Sequence, residues 1–231
     1  MSYSVAMNDN LYQAFHAFKH GREHNKRLIE KLLHLYKPPH ITNAAQLDRL
    51  GIEDNPLKMQ LLQNSLTKQG LDELSLKTDY KILLSDTDGE FPLVNIYGNQ
   101  LANNYTITCE PGQPRARAIA HIEALLGDAV NVLIYDRYIM DNWQECKRIF
   151  DLLPRKNLTI EFSHRLNQQY VTEIKKFCPD WKVKADQRQV YRELHDRYLL
   201  INRKMEIILS SGIYYLFDDT RECTLVFRKK E

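Results

Sequence analysis

Apolar positions in the first third of the chain recur at helical intervals. Between residues 8 and 36, Leu11, Phe15, Phe18, Leu28, Leu32 and Leu35 fall at spacings compatible with a 3.6-residue period. Gly21 interrupts the run. Lys37-Pro38-Pro39 ends it, because proline lacks the N–H and disfavours helix in the residue before it. A short helix is predicted next, with Thr42 or Asn43 as cap, Leu47 and Leu50 as apolar positions and Gly51 as stop. Another is predicted over 56–69, opened by Pro56 and closed by Gly70.

After Gly70 the pattern changes. Strands are predicted at 80–84, 92–97, 105–109, 131–135, 158–162, 181–184, 197–201, 207–210 and 224–227, and amphipathic helices over 115–126, 141–153 and 167–178. This alternation predicts a mixed, largely parallel sheet covered by helices, an α/β fold class. The chain thus divides into a small helical module over 1–75 and an α/β domain over 76–231.

Composition narrows the function classes. With 231 residues, 43% hydrophobic and 27% charged, the chain is ordinary globular protein, far from the disordered regime. Its 32 Lys+Arg and 30 Asp+Glu leave a net charge of +2, spread evenly about Tyr80. Attraction to nucleic acid or an anionic membrane must therefore come from a local patch. No apolar run approaches the ~20 residues of a membrane-spanning helix, and the first residues show no basic stretch followed by an apolar one, so the chain reads as soluble and cytoplasmic. Cys109, Cys146, Cys178 and Cys223 form no Cys-x-x-Cys pair, which argues against a zinc ribbon or redox dithiol and fits a reducing compartment.

The paired helices after Pro39 leave two readings open. They form either a small packing module or a helix-turn-helix, in which Lys58, Gln60, Gln63, Asn64 and Lys68 would include the base-reading face of a DNA-binding regulator. His16, His20 and His24 recur every four residues on one helix face, but no evident carboxylate or cysteine partner completes a metal site.

The sharpest chemical signal is His195-Asp196-Arg197, followed by the apolar 198–201. Strand side chains alternate with period two, so His195 and Arg197 share a face. The imidazole can serve as nucleophile or acid/base, and the guanidinium offers a planar fork of donors to phosphate oxygens. The same residues also fit a structural cluster of hydrogen bonds and ion pairs. Asp136 follows a strand end, where α/β sheets place their ligand crevices, or is a loop-capping carboxylate. Arg115 and Arg117 open a helix as an anion site or as solvated cations. Arg221 reaches a phosphate or pairs with Glu222 or Asp219.

These residues resemble the signature of the phospholipase D superfamily, His-x-Lys, four residues, Asp, six residues, Gly-Ser-x-Asn. On that spacing His195 matches the histidine and Ser210 the serine, while Arg197 replaces the lysine, Asn202 the aspartate, Leu209 the first glycine and Gly212 the asparagine. The His-Asp-Arg variant is similar to the phospholipase-D-like domain at the C-terminus of MIT-domain proteins and in bacterial relatives. Asp136-Arg137-Tyr138-Ile139 with Gln144, and Ser211-Gly212-Ile213-Tyr214-Tyr215 with Arg221-Glu222-Cys223-Thr224, carry the rest of the resemblance, with Arg137 departing from a proline.

The resemblance implies a phospholipase-D-like sheet and a phosphodiester ligand, with His195, Arg197 and Ser210 catalytic and Asp136, Tyr138, Asp196, Asn202 and Arg221 contacting the ligand. The implied mechanism uses neither metal nor cofactor: His195 attacks phosphorus, Arg197 and Ser210 hold the non-bridging oxygens, and a second histidine protonates the leaving oxygen. One chain supplies one motif, so that site requires a homodimer. Nucleic acid is the expected partner, as substrate of a nuclease or as bound ligand, in a nucleic-acid-processing or defence system with its partner proteins. The competing class is a non-catalytic module for phosphoinositide membranes or a protein partner.

Overall fold

A computed structural model describes residues 3–35, 38–98, 104–163, 165–188, 191 and 194–230. The chain forms two units, residues 1–104 and 105–231. In the first, β1 (Ala6–Met7) leads through five helices, α1 (Asp9–Lys19), α2 (Lys26–Leu35), α3 (Ala44–Arg49), α4 (Asn55–Gln63) and α5 (Leu71–Ser75), to β2 (Leu83–Ser85) and β3 (Leu93–Asn95). The three strands pair in parallel in the order β1-β2-β3, with Met7 opposite Leu84 and Leu84 opposite Val94. Parallel neighbours cannot be joined by a tight turn; the five helices supply the crossover from β1 to β2, and the irregular segment 86–92 leads from β2 to β3. Val5, Met7, Leu11, Leu32, Leu47, Leu74, Leu84 and Val94 are buried in this unit.

Local sequence signals set the helix ends. Asn8, Asn43 and Asp54 cap α1, α3 and α4, their side-chain oxygens accepting from the N–H of Leu11, Gln46 and Leu57 at 2.9, 2.8 and 2.9 Å. Asn8 also donates from Nδ2 to Ser85 Oγ at 3.0 Å and Asp86 Oδ1 at 2.9 Å, which ties the start of α1 to the end of β2. Gly21, at φ +67°, breaks the first helical run in two as its position suggests. The expected stop at Lys37 lies outside the described residues.

Two expectations change here. The first unit is an α/β layer rather than a helical module, and the boundary falls at 104/105 instead of 75/76. The reason is β1, a two-residue strand too short to show a period, which captures β2 and β3 for the first unit. Of the candidate base-reading residues, Lys58 ion-pairs with Asp48, and Gln60 and Asn64 line a cavity within this unit.

The second unit holds β4 (Tyr105–Cys109), α6 (Ala116–Leu126), β5 (Asn131–Tyr135), α7 (Trp143–Cys146) running into a 3-10 turn (Lys147–Leu152), β6 (Thr159–Phe162), α8 (Gln168–Phe177), β7 (Lys182–Ala185), β8 (Arg197–Ile201), β9 (Met205–Leu209) and β10 (Cys223–Lys229). They make one seven-stranded mixed sheet in the order β4-β10-β9-β8-β5-β6-β7. Only β5-β6 and β6-β7 are parallel; the other four pairings are antiparallel. The sheet is therefore mixed but not largely parallel, because residues 202–204 between β8 and β9 are too few for a crossover. Asn202 and Arg203 make that turn at φ 50° and 58°.

One face of this sheet carries Phe162, Ile134, Leu199, Ile207 and Phe227, each opposite the next across successive strands. Helices cover it: the His121 ring of α6 lies tilted against the Phe227 ring with centroids 4.3 Å apart, and the Phe150 ring lies 6.4 Å from that of Phe162 and 5.8 Å from that of Trp143. The other face holds Leu133, Tyr135, Tyr198 and Leu200, closed by Tyr191, which stacks on Tyr198 at 4.2 Å. On this face Glu206 is fully buried. It accepts a 2.6 Å hydrogen bond from the Tyr191 hydroxyl, pairs with Arg228, and lies 3.2 Å from Lys230.

Burial alone would raise the pKa of Glu206, but the bonds from Tyr191, Arg228 and Lys230 outweigh it and hold the carboxyl below the usual range. A depressed folded-state pKa contributes stability above the unfolded value, lost as pH falls through the folded one. Urea midpoints measured from pH ~6 down to ~3 should therefore fall less steeply for Glu206→Gln than for the wild type. Glu206→Ala should cost about 3 kcal/mol, since it leaves Arg228, Lys230 and the Tyr191 hydroxyl without their shared acceptor.

Candidate functional site

Three strand ends meet on one side of the second sheet. Tyr135, the last residue of β5, pairs with Tyr198, and Arg197, the first of β8, stands opposite Leu209, the last of β9. Antiparallel register thus brings Asp136, Arg197 and Ser210, spread over 75 positions of sequence, to a single edge.

Asp136 is the centre of this junction. Its side chain is 1% exposed; Oδ1 accepts from the Tyr138 N–H and Oδ2 from the Ile213 N–H, both at 2.9 Å, and Arg197 Nε lies 3.8 Å from Oδ1. The carboxylate thereby caps the 3-10 turn Ile213–Leu216 and faces the guanidinium from behind. Of the two readings open in the sequence, loop capping is the one the geometry supports, and Asp136 does not line the cleft in front of Arg197.

That cleft, about 440 Å³, is lined by Tyr138, Asn142, Arg197, Ser210, Ser211, Gly212, Tyr214 and Tyr215. Arg197 is the one charged group among these described residues. It lies 5.4 Å over the Tyr138 ring and donates from Nη1 to the His195 carbonyl at 3.3 Å. Ser210 accepts at Oγ from the Thr224 N–H at 3.3 Å, which leaves its own hydroxyl proton for a ligand. Gly212 is required by packing: a Cβ there would come within 2.6 Å of the Tyr214 ring.

The Tyr214 and Tyr215 rings lie against each other, tilted by 33°, with centroids 4.1 Å apart. A hydrogen bond to Tyr215 pushes the Tyr214 pKa up to about 12. The Tyr215 oxygen accepts from Tyr214 and, at 3.0 Å, from Arg221 Nη1, which lowers its pKa. Arg221 also lies 5.7 Å over that ring and is not among the residues that line the cleft. Arg115 fixes the loop beneath. Buried, it donates to the carbonyls of Arg221, of Asp218 at 3.3 Å and of Glu110 at 3.5 Å, a structural role instead of an open anion site.

The remaining candidates sit elsewhere. His195 and Asp196 are exposed and outside the cleft lining. Their segment is held through the Tyr135 hydroxyl, which donates to the Leu194 carbonyl at 3.0 Å and accepts from Arg137 at 2.8 Å. Arg137 is thus a brace. Asn202 lies at the opposite end of β8, where Oδ1 accepts from Val130 and Asn131 N–H at 2.9 and 3.1 Å, so it is a turn residue and not a ligand contact. Sequence reasoning missed Asn142, Ser211, Tyr214 and Tyr215 as lining groups; the tyrosine pair stood inside a quoted motif, whereas no local signal marks Asn142.

In the first unit, His16 and His20 approach to 4.3 Å between ring centroids, while His24 turns to the Arg22 carbonyl and the Phe18 ring. No cluster of three or more His, Cys, Asp or Glu side chains that could hold a metal occurs among the described residues. Nor is any described helix long and apolar enough to cross a membrane.

Fold and site together define a two-unit α/β protein with a polar, singly cationic cleft at the strand ends of a mixed sheet. Neither a known family model nor a curated protein matches the chain. Among solved structures it is similar to NucT from Helicobacter pylori, at a TM-score of 0.31 and 14% identity, over 54% of this chain and 85% of that one.

Two substitutions test the junction. Asp136→Ala should cost about 3 kcal/mol in urea denaturation, and amide exchange at Ile213 should accelerate, because two backbone N–H groups and a guanidinium lose their acceptor. Gly212→Ala should displace the Tyr214 ring, read as a changed Tyr214 resonance with the sheet amides unmoved.

Proposed function

We propose that the second unit recognises a phosphodiester at Arg197 and that nucleic acid carries it. The observation behind this reading is the lining of the cleft: one guanidinium, backed by a buried carboxylate, among hydroxyl and amide groups, with no carboxylate among the described lining residues. A planar fork of donors suits two phosphate oxygens, and the Ser210 and Ser211 hydroxyls add donors beside it. Tyr138, Tyr214 and Tyr215 favour a nucleic acid over a lipid headgroup, because base stacking on an aromatic side chain contributes ~1–3 kcal/mol per base and an inositol headgroup offers no aromatic ring.

Recognition, not turnover, is what the geometry supports best, since the His195 imidazole does not line the cleft. With a chain charge of only +2, affinity comes from this local group. The slope of log K against log salt should then be shallow, about −1 for one or two phosphates on a single strand.

The test compares wild type, Arg197→Ala, Arg197→Lys and His195→Ala on labelled single- and double-stranded DNA and RNA in EDTA, scoring binding and cleavage in the same gels. Arg197→Ala should weaken binding at least about tenfold, Arg197→Lys should restore part of it, and His195→Ala should leave it unchanged. Cleavage abolished by His195→Ala would replace this reading with a histidine-dependent nuclease. Binding to phosphoinositide vesicles with none to nucleic acid would overturn it in favour of a membrane module.

A further inference from the structure

The first unit contains a cavity of its own, about 190 Å³, which the Arg197 cleft does not account for. That is about six times the ~30 Å³ share of one liquid water, room for a small ring rather than a solvent molecule or two. Its lining is divided by chemistry. One part is aromatic: the Tyr12 and Phe15 rings, both buried, each meet the His40 ring edge-on, at 5.5 and 5.3 Å between centroids. Burial pushes the His40 pKa down to about 4, so this ring adds polarity without charge at neutral pH.

The lining also holds neutral hydrogen-bonding groups. Thr42 donates its hydroxyl to Gln46 at 2.8 Å, which leaves its oxygen as an acceptor. Asn64 donates from Nδ2 to the Gln60 carbonyl at 2.8 Å, which leaves its Oδ1. The Gln60 carboxamide, with no partner among the described residues, presents a donor and an acceptor side by side. Exposed Lys19 is the fixed cation of the lining, beside His20 and His16, whose pKa burial and the neighbouring His20 lower; the one carboxylate among the described lining residues, Asp54, accepts from the Leu57 N–H at the start of α4.

An aromatic wall, a carboxamide edge and an exposed lysine match a flat heterocycle bearing an anionic group. We propose that this cavity binds an adenine nucleotide, with the base between the aromatic wall and Gln60 and the phosphate toward Lys19. The carboxamide is the complement of adenine's amino and ring-nitrogen edge, whereas guanine presents two acceptors on its corresponding groove edge. The ligand is either a free mononucleotide or an adenine nucleotide within a strand; both offer the same groups. This site rests on the first unit alone, so its failure would leave the Arg197 reading standing.

Histidine imidazole resonances of the full chain report on it directly, because His16, His20 and His40 all line the cavity. Titration with adenosine monophosphate should shift these three and leave His34 and His121 in place. A short oligoadenylate giving the same shifts more tightly would identify a strand as the source; weaker shifts would identify the free nucleotide. Lys19→Gln should weaken the monophosphate about tenfold and leave adenosine unchanged, while Gln60→Ala should weaken both about fivefold. Both residues are exposed, so the fold should survive either change. No shift with millimolar adenosine monophosphate, or equal shifts with ribose 5-phosphate or guanosine monophosphate, would overturn the proposal.

Discussion

The buried carboxylate of Asp136 is the constraint on which the second unit's site depends. A fully desolvated charge is tolerated only when paired and hydrogen-bonded. Asp136 meets that condition by drawing together the backbone N–H groups of Tyr138 and Ile213 and the guanidinium of Arg197. Satisfying one carboxylate therefore sets the turn after β5, seats the 3-10 turn after β9, and holds Arg197 at the floor of an open cleft. Tyr214 and Tyr215 inherit their positions from that turn, which Gly212 allows to pack closely.

The sheet makes this convergence possible. Because β8 and β9 run antiparallel next to β5, the end of one strand, the start of the second and the end of the third lie side by side. A largely parallel sheet would have placed the start of β8 at the opposite edge. The same register aligns Glu206 with Arg228 on the face that Tyr191 closes, where the Tyr191 hydroxyl bonds Glu206. Each unit thus gathers its chemistry differently: the second at strand ends, the first in a cavity between helices α1 and α4 and the residues near His40.

Much of the secondary structure was legible. Strands at 105–109, 131–135 and 197–201 and helices over 116–126 and 168–177 fall where periodicity and breakers put them. The helix expected over 141–153 is shorter, α7 followed by a 3-10 turn. The β1 strand was invisible because two residues carry no period, and with it went the first unit's sheet and the boundary at 104/105. In the site, Arg197 and Ser210 were legible from motif spacing and do line one cleft, whereas Asn202, which the same spacing sets in place of the motif's aspartate, serves a turn. Spacing along a chain ranks residues but does not say which end of a strand each occupies.

By itself the sequence determined most of the longer helices and strands, the cap at Asn43 and the break at Gly21, since these depend on contacts within a few residues, whereas the helix expected to run to Gly70 ends at Gln63 and Gly70 instead opens α5. It also bounded the electrostatics, because net charge is a property of composition. Tertiary structure alone decided that Asp136 is buried under Arg197, that Arg115 braces the Arg221 loop, that His195 stands outside the cleft, and that Gln60 and Lys19 border one cavity with His40. Those facts depend on strand direction and register, set by pairing between residues tens of positions apart, and no local pattern encodes which partner a buried charge will find.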